Sequence, residues 1–236
     1  METKLSFEEV KKETRLLSTK INCLTTKKKT IPKILNEDDK CNLIEKDMPR
    51  RFIDLYFGDF EKVISEENFE KIKKYIKDFW KNLINGKGMI FVGPVGTAKT
   101  AAACLLMKYA YSFFLNEKFY FQYKKYNKGV LTLEESVQFV LSGKMLFDYF
   151  GDKESFLKLK DKSFLIIDDI TKPTQNFFVE VFDFVIRHRE LNNLPTILTS
   201  QLPMKKLKEF FGLPVYDLIK GNYKVLKFLG KSKRWQ

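Results

Sequence analysis

The stretch MIFV-GPVGTAKT-AAACLLM constrains this chain more than any other part of it. Four apolar residues end at a glycine, a turn of small residues follows, and a Lys-Thr pair opens a long apolar segment. That order is a short strand, a glycine-rich turn and a helix start. Backbone N–H groups of such a turn converge on phosphate oxygens, and the helix that follows aims its positive end at the same anion. Residues Gly93, Pro94, Val95, Gly96, Thr97, Ala98, Lys99 and Thr100 form the candidate phosphate cradle. Gly93 and Gly96 permit close backbone approach, Lys99 supplies a point charge to the β/γ oxygens, and Thr100 offers a hydroxyl to Mg²⁺. Ala98 stands where the motif usually has its last glycine. A right-handed backbone there would accommodate the extra methyl.

A second segment matches the first. FLIIDD, Phe164 to Asp169, is an apolar strand ending in two carboxylates, the Walker B arrangement. Asp168 is the candidate Mg²⁺ ligand beside Thr100, and Asp169 the candidate general base for the attacking water. A third strand, PTILTSQ, closes on polar residues, of which Gln201 is the first candidate to touch the γ-phosphate or its water, and Ser200 the second. The cofactors expected are ATP and Mg²⁺. Lys99, Asp169 and Gln201 are the residues expected to act in hydrolysis.

Around these motifs the pattern alternates as a parallel sheet with crossover helices requires. Glu66 to Leu83 reads as a helix with Phe69, Ile72, Ile76, Phe79 and Leu83 on one side. Met89–Val92, Phe119–Tyr123, Phe164–Asp168, Pro195–Thr199 and Tyr223–Leu229 read as strands. Lys99–Leu115 and Thr174–Leu191 read as helices, the second with Phe178, Val181, Phe182, Val185 and Ile186 inward. Residues 1–22 suit a charged amphipathic helix, and 25–47 lose periodicity around TTKKKTIPKILNEDDK, as a linker does. The reading divides the chain into an extension, 1–47, and an α/β domain, 48–236.

MPRRF, GPVGTAKT, LIIDDI and RHRELNNLPTILTSQLP together resemble the AAA+ ATPase of bacterial replicative helicase loaders. The helper ATPases of insertion-sequence transposases are closely similar. The resemblance implies a three-layer sandwich with a parallel five-stranded sheet of order 5-1-4-3-2, ATP hydrolysis, and assembly on DNA. It implies a hexameric replicative helicase as partner, gripped by the N-terminal extension, with self-assembly in the ATP state. The alternatives are a transposition helper that assembles on duplex DNA, or a nucleotide-dependent scaffold that hydrolyses little.

The chain departs from that family in three places. Ala98 replaces glycine, Gln201 stands where the family has Asn, and the segment GLPVYDLIKGNYKVL lacks the family's arginine. Arg187 and Arg189 lie on the preceding helix, placed either to act across an interface or to be solvated helix charges; the second reading is favoured. Turnover by the isolated protein is accordingly expected to be slow.

Charge supports an anionic partner. The net charge is +13 with a sequence pI of about 9.4. The segment 203–236 carries nine Lys/Arg against Glu209 and Asp217 and ends KSKRWQ, a set suited to single-stranded DNA. Lys124, Lys125, Tyr126 and Lys128 are further candidate contacts. Cys23, Cys41 and Cys104 lack the spacing of a disulfide framework or zinc site, so they read as free thiols. The lone His188 has no catalytic role in this reading. No stretch suits a secretory signal or membrane span, so a cytoplasmic protein is expected.

Overall fold

The structure is a computed structural model that describes residues 36–55, 57–115, 123, 136–172 and 176–230. The expected N-terminal helix, and the candidate contacts at Lys124, Lys125, Tyr126, Lys128 and 231–236, lie outside those residues.

The first described helix, α1 (Glu37–Glu45), falls in the stretch that reads as linker. The acidic cluster that suggested a solvated hinge is a helix start. The Asn36 side chain accepts from the Asp39 N–H at 2.8 Å, and Asp39 Oδ2 accepts from the Asn36 N–H at 2.9 Å. This reciprocal cap satisfies two donors, and the acids favour the positive helix end. Leu43 is fully buried and Met48 nearly so, both in the main core. The core therefore takes in Leu43 of α1, on the N-terminal side of Met48.

A short 3₁₀ turn (Arg50–Phe52) and helix α2 (Phe57–Phe60) lead to α3 (Glu66–Lys77) and α4 (Phe79–Ile84). The single helix expected over 66–83 breaks at Asp78, whose backbone (φ −95°, ψ 19°) leaves the helical region. All five residues expected inward are nevertheless buried. The break swings Phe79 against Tyr109 and Phe113, with ring centroids at 5.2 and 5.0 Å.

Strand β1 (Gly88–Val92) runs into the glycine-rich turn, and α5 (Lys99–Leu115) follows. Next come β2 (Val137–Leu141), α6 (Ser142–Gly151), α7 (Lys153–Asp161) and β3 (Phe164–Ile170). The chain closes with α8 (Asn176–Leu191), β4 (Thr196–Ser200), α9 (Met204–Asn222) and β5 (Tyr223–Lys227). α9 is kinked at Gly212 (φ 78°), two residues before Pro214, which cannot donate to a helix ladder.

The sheet is parallel, with order β2-β3-β4-β1-β5, the 5-1-4-3-2 arrangement expected. The strand beside β3 is β2, Val137–Leu141. The strand expected over Phe119–Tyr123 falls almost wholly outside the described residues. Of that segment Tyr123 alone is described; it has helical backbone and packs its buried ring on Phe114 at 5.4 Å. Strand alternation splits the core in two. Met89 and Phe91 join α1, α3, α4 and α5 on one face, while Ile90 and Val92 join α6 to α9 on the other. β1 and β4 are buried throughout, as central strands covered by helices on both faces are. The result is the three-layer α/β sandwich that the motifs imply.

Candidate nucleotide site

The glycine-rich turn sits where β1 ends between β4 and β5. The Gly93 N–H donates to Ser200 O at 3.2 Å, and the Phe228 N–H donates to Val92 O at 2.8 Å. A Cβ on Gly93 would meet Phe228 O at 2.0 Å, so only glycine lets the three segments close. The turn is tightened by Thr97, whose hydroxyl donates to Pro94 O at 2.8 Å. Lys99 is buried and folds back over the turn, donating to Gly93 O at 2.7 Å and Pro94 O at 2.6 Å. Its ammonium thus already lies in the cradle the phosphates would share.

Ala98 departs from the sequence expectation. Its backbone is left-handed, with φ 68°, where a Cβ crowds the following carbonyl at ~1–2 kcal/mol. Ala98→Gly is therefore expected to stabilise the protein by about 0.5–1 kcal/mol, the relief less the extra chain entropy of glycine. A thermal melt should rise by ~1–4 °C, and a fall would show that the methyl is held by packing.

The two carboxylates at the end of β3 are treated differently. Asp168 is buried, and its Oδ1 accepts from Thr100 Oγ1 at 3.0 Å and from Thr199 Oγ1 at 2.6 Å. Burial pushes its carboxyl above the usual range, against the pull of those two hydroxyls, and neighbouring Asp169 pushes the same way. Asp169 is exposed to the cleft with φ 59°. The β3–β4 register shifts between Ile167 and Ile170, and this irregularity turns its side chain out of the sheet. The Asp169 N–H donates to Thr199 Oγ1 at 3.0 Å, and Gln201 Nε2 donates to Asp169 Oδ1 at 2.7 Å.

Thr199 is the residue that sequence reasoning missed. One hydroxyl holds the Asp168 side chain and the Asp169 backbone together. The available signal was a polar residue two places before Gln201, on the same strand. Ser200, the second candidate there, is committed elsewhere: its hydroxyl donates to Ile170 O at 2.6 Å and accepts from the Leu202 N–H at 3.0 Å. Gln201 keeps its place at the cavity.

These residues line a cavity of about 620 Å³, within the ~300–1,000 Å³ of ligand sites. Its far wall was not anticipated from sequence and comes from Arg51, Phe52, Leu55 and Val63. Arg51 lies over the Phe52 ring, 4.6 Å from its centre. Lys108, which interrupts the apolar helix α5 in sequence, anchors this wall from behind by donating to Ile53 O at 3.0 Å and to Leu55 O. Burial lowers the Lys108 amine to about 8.

Neither helix arginine reaches the cavity. Arg187 pairs with Asp183 at 2.8 Å on the surface of α8. Arg189 is fully buried, which overturns the reading of it as a solvated charge as well as the interface role. Its Nε donates to Thr196 Oγ1 at 2.7 Å, Nη1 to Lys160 O and Lys162 O, and Nη2 to Pro195 O at 2.8 Å. His188 meets Asp161 at 2.6 Å, away from the cavity lining.

The donor set fits the expected ligands. A threonine hydroxyl beside a buried carboxylate is an oxygen pair suited to Mg²⁺, which takes few protein ligands and completes its shell with phosphate and water. Among the described residues no group of three or more His, Cys, Asp or Glu could hold a metal by itself. Two adjacent carboxylates, one raised by burial, mark a place where added positive charge is favourable.

No protein-family model matches the sequence, and no curated protein matches it. Solved structures do. The chain is similar to the DnaC helicase loader, with a TM-score of 0.54 at 18% identity, over 69% of this chain and 89% of that one. It is similar to DnaI, with a TM-score of 0.57 at 18% identity, over 79% of this chain and 94% of that one. It is also similar to the replication initiator DnaA bound to AMPPCP and single-stranded DNA, at 0.51 and 16%, over 73% of this chain and 50% of that one. These likenesses show that the chain shares the α/β fold of those proteins.

Proposed function

We propose, from the fold shared with helicase loaders and the site built into it, that this chain is an ATP-dependent loader of a replicative DNA helicase. In this reading it acts in the cytoplasm, grips a hexameric helicase through residues 1–47 and helps place it on single-stranded DNA. Self-assembly in the ATP state belongs to the same reading. The observation that carries the nucleotide part is the convergence of Lys99, Thr100, Asp168, Asp169 and Gln201 on one cavity. The DnaC and DnaA likenesses support the choice of partners.

Each residue has a task set by its position. Lys99 leaves the turn carbonyls for the β/γ oxygens, and the start of α5 supplies N–H groups to the same anion. Thr100 and Asp168 would hold Mg²⁺, which would neutralise charge on the phosphates when bound. Asp169, exposed and oriented by Gln201, accepts a proton from the attacking water. Thr199 ties the Asp168 carboxylate to the Asp169 backbone. Lys99→Ala is expected to weaken ATP binding by ~1.5–3 kcal/mol, the range of a charge-assisted contact. Calorimetric titration with Mg²⁺ measures this, and an unchanged affinity would remove the assignment.

A further inference from the structure

We propose that the cleft at the end of the sheet opposite the nucleotide cavity binds the phosphates of a nucleic-acid strand. β1 and β5 are parallel and paired from Gly88 and Tyr223, so their N-terminal ends lie together at the edge away from the glycine-rich turn. There a cleft of about 360 Å³ is lined by Lys74, Lys87 and Lys224, with Asn82, Tyr223 and Asp78. Three lysines face one aspartate.

The fold brings these amines together from three elements. β5 is an edge strand, with Tyr223 and Leu226 buried on opposite faces of the sheet and Lys224 and Lys227 exposed. α3 is held alongside by Asn68, whose Nδ2 donates to Lys227 O at 2.8 Å, and this sets Lys71 and Lys74 near Lys224. Lys87 enters from the turn before β1 and rests on Asn222 Oδ1, a neutral acceptor, at 2.8 Å.

Compensation by acids is incomplete here, whereas two neighbouring lysines are paired. Lys71 is paired with Glu67 and Lys73 with Glu70 on the same helix. Among the described residues, Lys74, Lys87 and Lys224 form no ion pair with a carboxylate. Partial burial, then Lys74 and Lys71, lower the affinity of the Lys224 amine for its proton, the mark of a positive charge held against its neighbours. An anion in the cleft relieves that repulsion. The cleft offers the Lys74, Lys87 and Lys224 amines to phosphate, and phosphate contacts carry no sequence information, so binding should be independent of sequence. The proposal deepens the DNA-acting reading above by naming a surface; it does not depend on the ATPase.

The test is binding of a fluorescent single-stranded oligonucleotide to the full chain, without nucleotide, across a salt series. Lys74→Gln, Lys87→Gln and Lys224→Gln are combined and compared with a control triple, Lys62→Gln, Lys153→Gln and Lys158→Gln. Loss of three phosphate contacts should reduce the slope of log K against log salt by about 2 for a single strand, and leave ATP affinity at the wild-type value. An unchanged slope, or an equal loss in the control, would overturn the cleft. Saturation by inorganic pyrophosphate with no change of slope would overturn it in favour of a small anion. Wild-type protein that binds no strand at all would overturn the cleft and the loader reading together. Wild-type protein that binds with an unchanged slope in the cleft variant removes the cleft alone.

Discussion

Arg189→Ala is expected to cost about 3–5 kcal/mol of stability, the sum of several buried acceptors left unsatisfied at ~1–3 kcal/mol each and the cavity left behind, less the relief of a desolvated charge. The guanidinium uses its fork to tie four acceptors: the Lys160 and Lys162 carbonyls before β3, and the Pro195 carbonyl and Thr196 hydroxyl at the start of β4. Burial draws it down to about 10, so it remains charged at neutral pH. Alanine would leave those acceptors buried and add a cavity. Against the ~5–15 kcal/mol that holds a domain folded, the variant is left marginal. Arg189→Lys should recover less than half, because one ammonium cannot span both strand ends. Urea unfolding of the three proteins gives the values. A variant that melts normally yet loses ATPase would instead return Arg189 to an interface role.

Asp169→Asn should keep ATP and lose hydrolysis by ~10²–10⁴-fold, the usual worth of a positioned base. The substitution is well matched, since Asn tolerates the left-handed backbone found there as readily as Asp. Gln201 can turn its amide to meet the new side chain. Wild-type turnover is itself expected to be low in the isolated protein. Among the described residues, Arg187 is paired on the surface and Arg189 is buried. Arg51, which does line the cavity, lies over the Phe52 ring on the far wall from Asp168 and Asp169. An arginine supplied by a partner is worth ~10³–10⁵ in related NTPases. Steady-state ATPase with and without single-stranded DNA and helicase measures both effects. Wild-type rates in Asp169→Asn would make Asp169 structural, and brisk turnover by the protein alone would remove the need for a partner's arginine.

The candidate nucleotide site was legible because the residues that would form it are local in sequence. A glycine-rich turn, a Lys-Thr pair and an apolar run ending in Asp-Asp each specify backbone geometry and charge within a few residues. The strand order was accessible from the same motifs through the family they resemble. The local signal for α1 was present but misread: Asn36 and Asp39 form a helix cap, whereas the acidic cluster reads as part of a linker.

What the tertiary structure decided was everything that depends on a neighbour distant in sequence. Val137–Leu141 is β2 because it pairs with β3, a partner that its own residues do not announce. Arg187 and Arg189 are two helix charges in sequence. One stays in solvent because α8 turns it outward, and the other is buried because the end of α8 rests on the starts of β3 and β4. Ala98 is sterically acceptable by composition, yet the turn that brings Lys99 over the phosphate cradle requires a left-handed residue there. Thr199 looks like one more strand residue until the β3 irregularity sets Asp168 and Asp169 on either side of its hydroxyl. Side-chain type fixes what a group can do; the packing of remote strands decides which partner it meets.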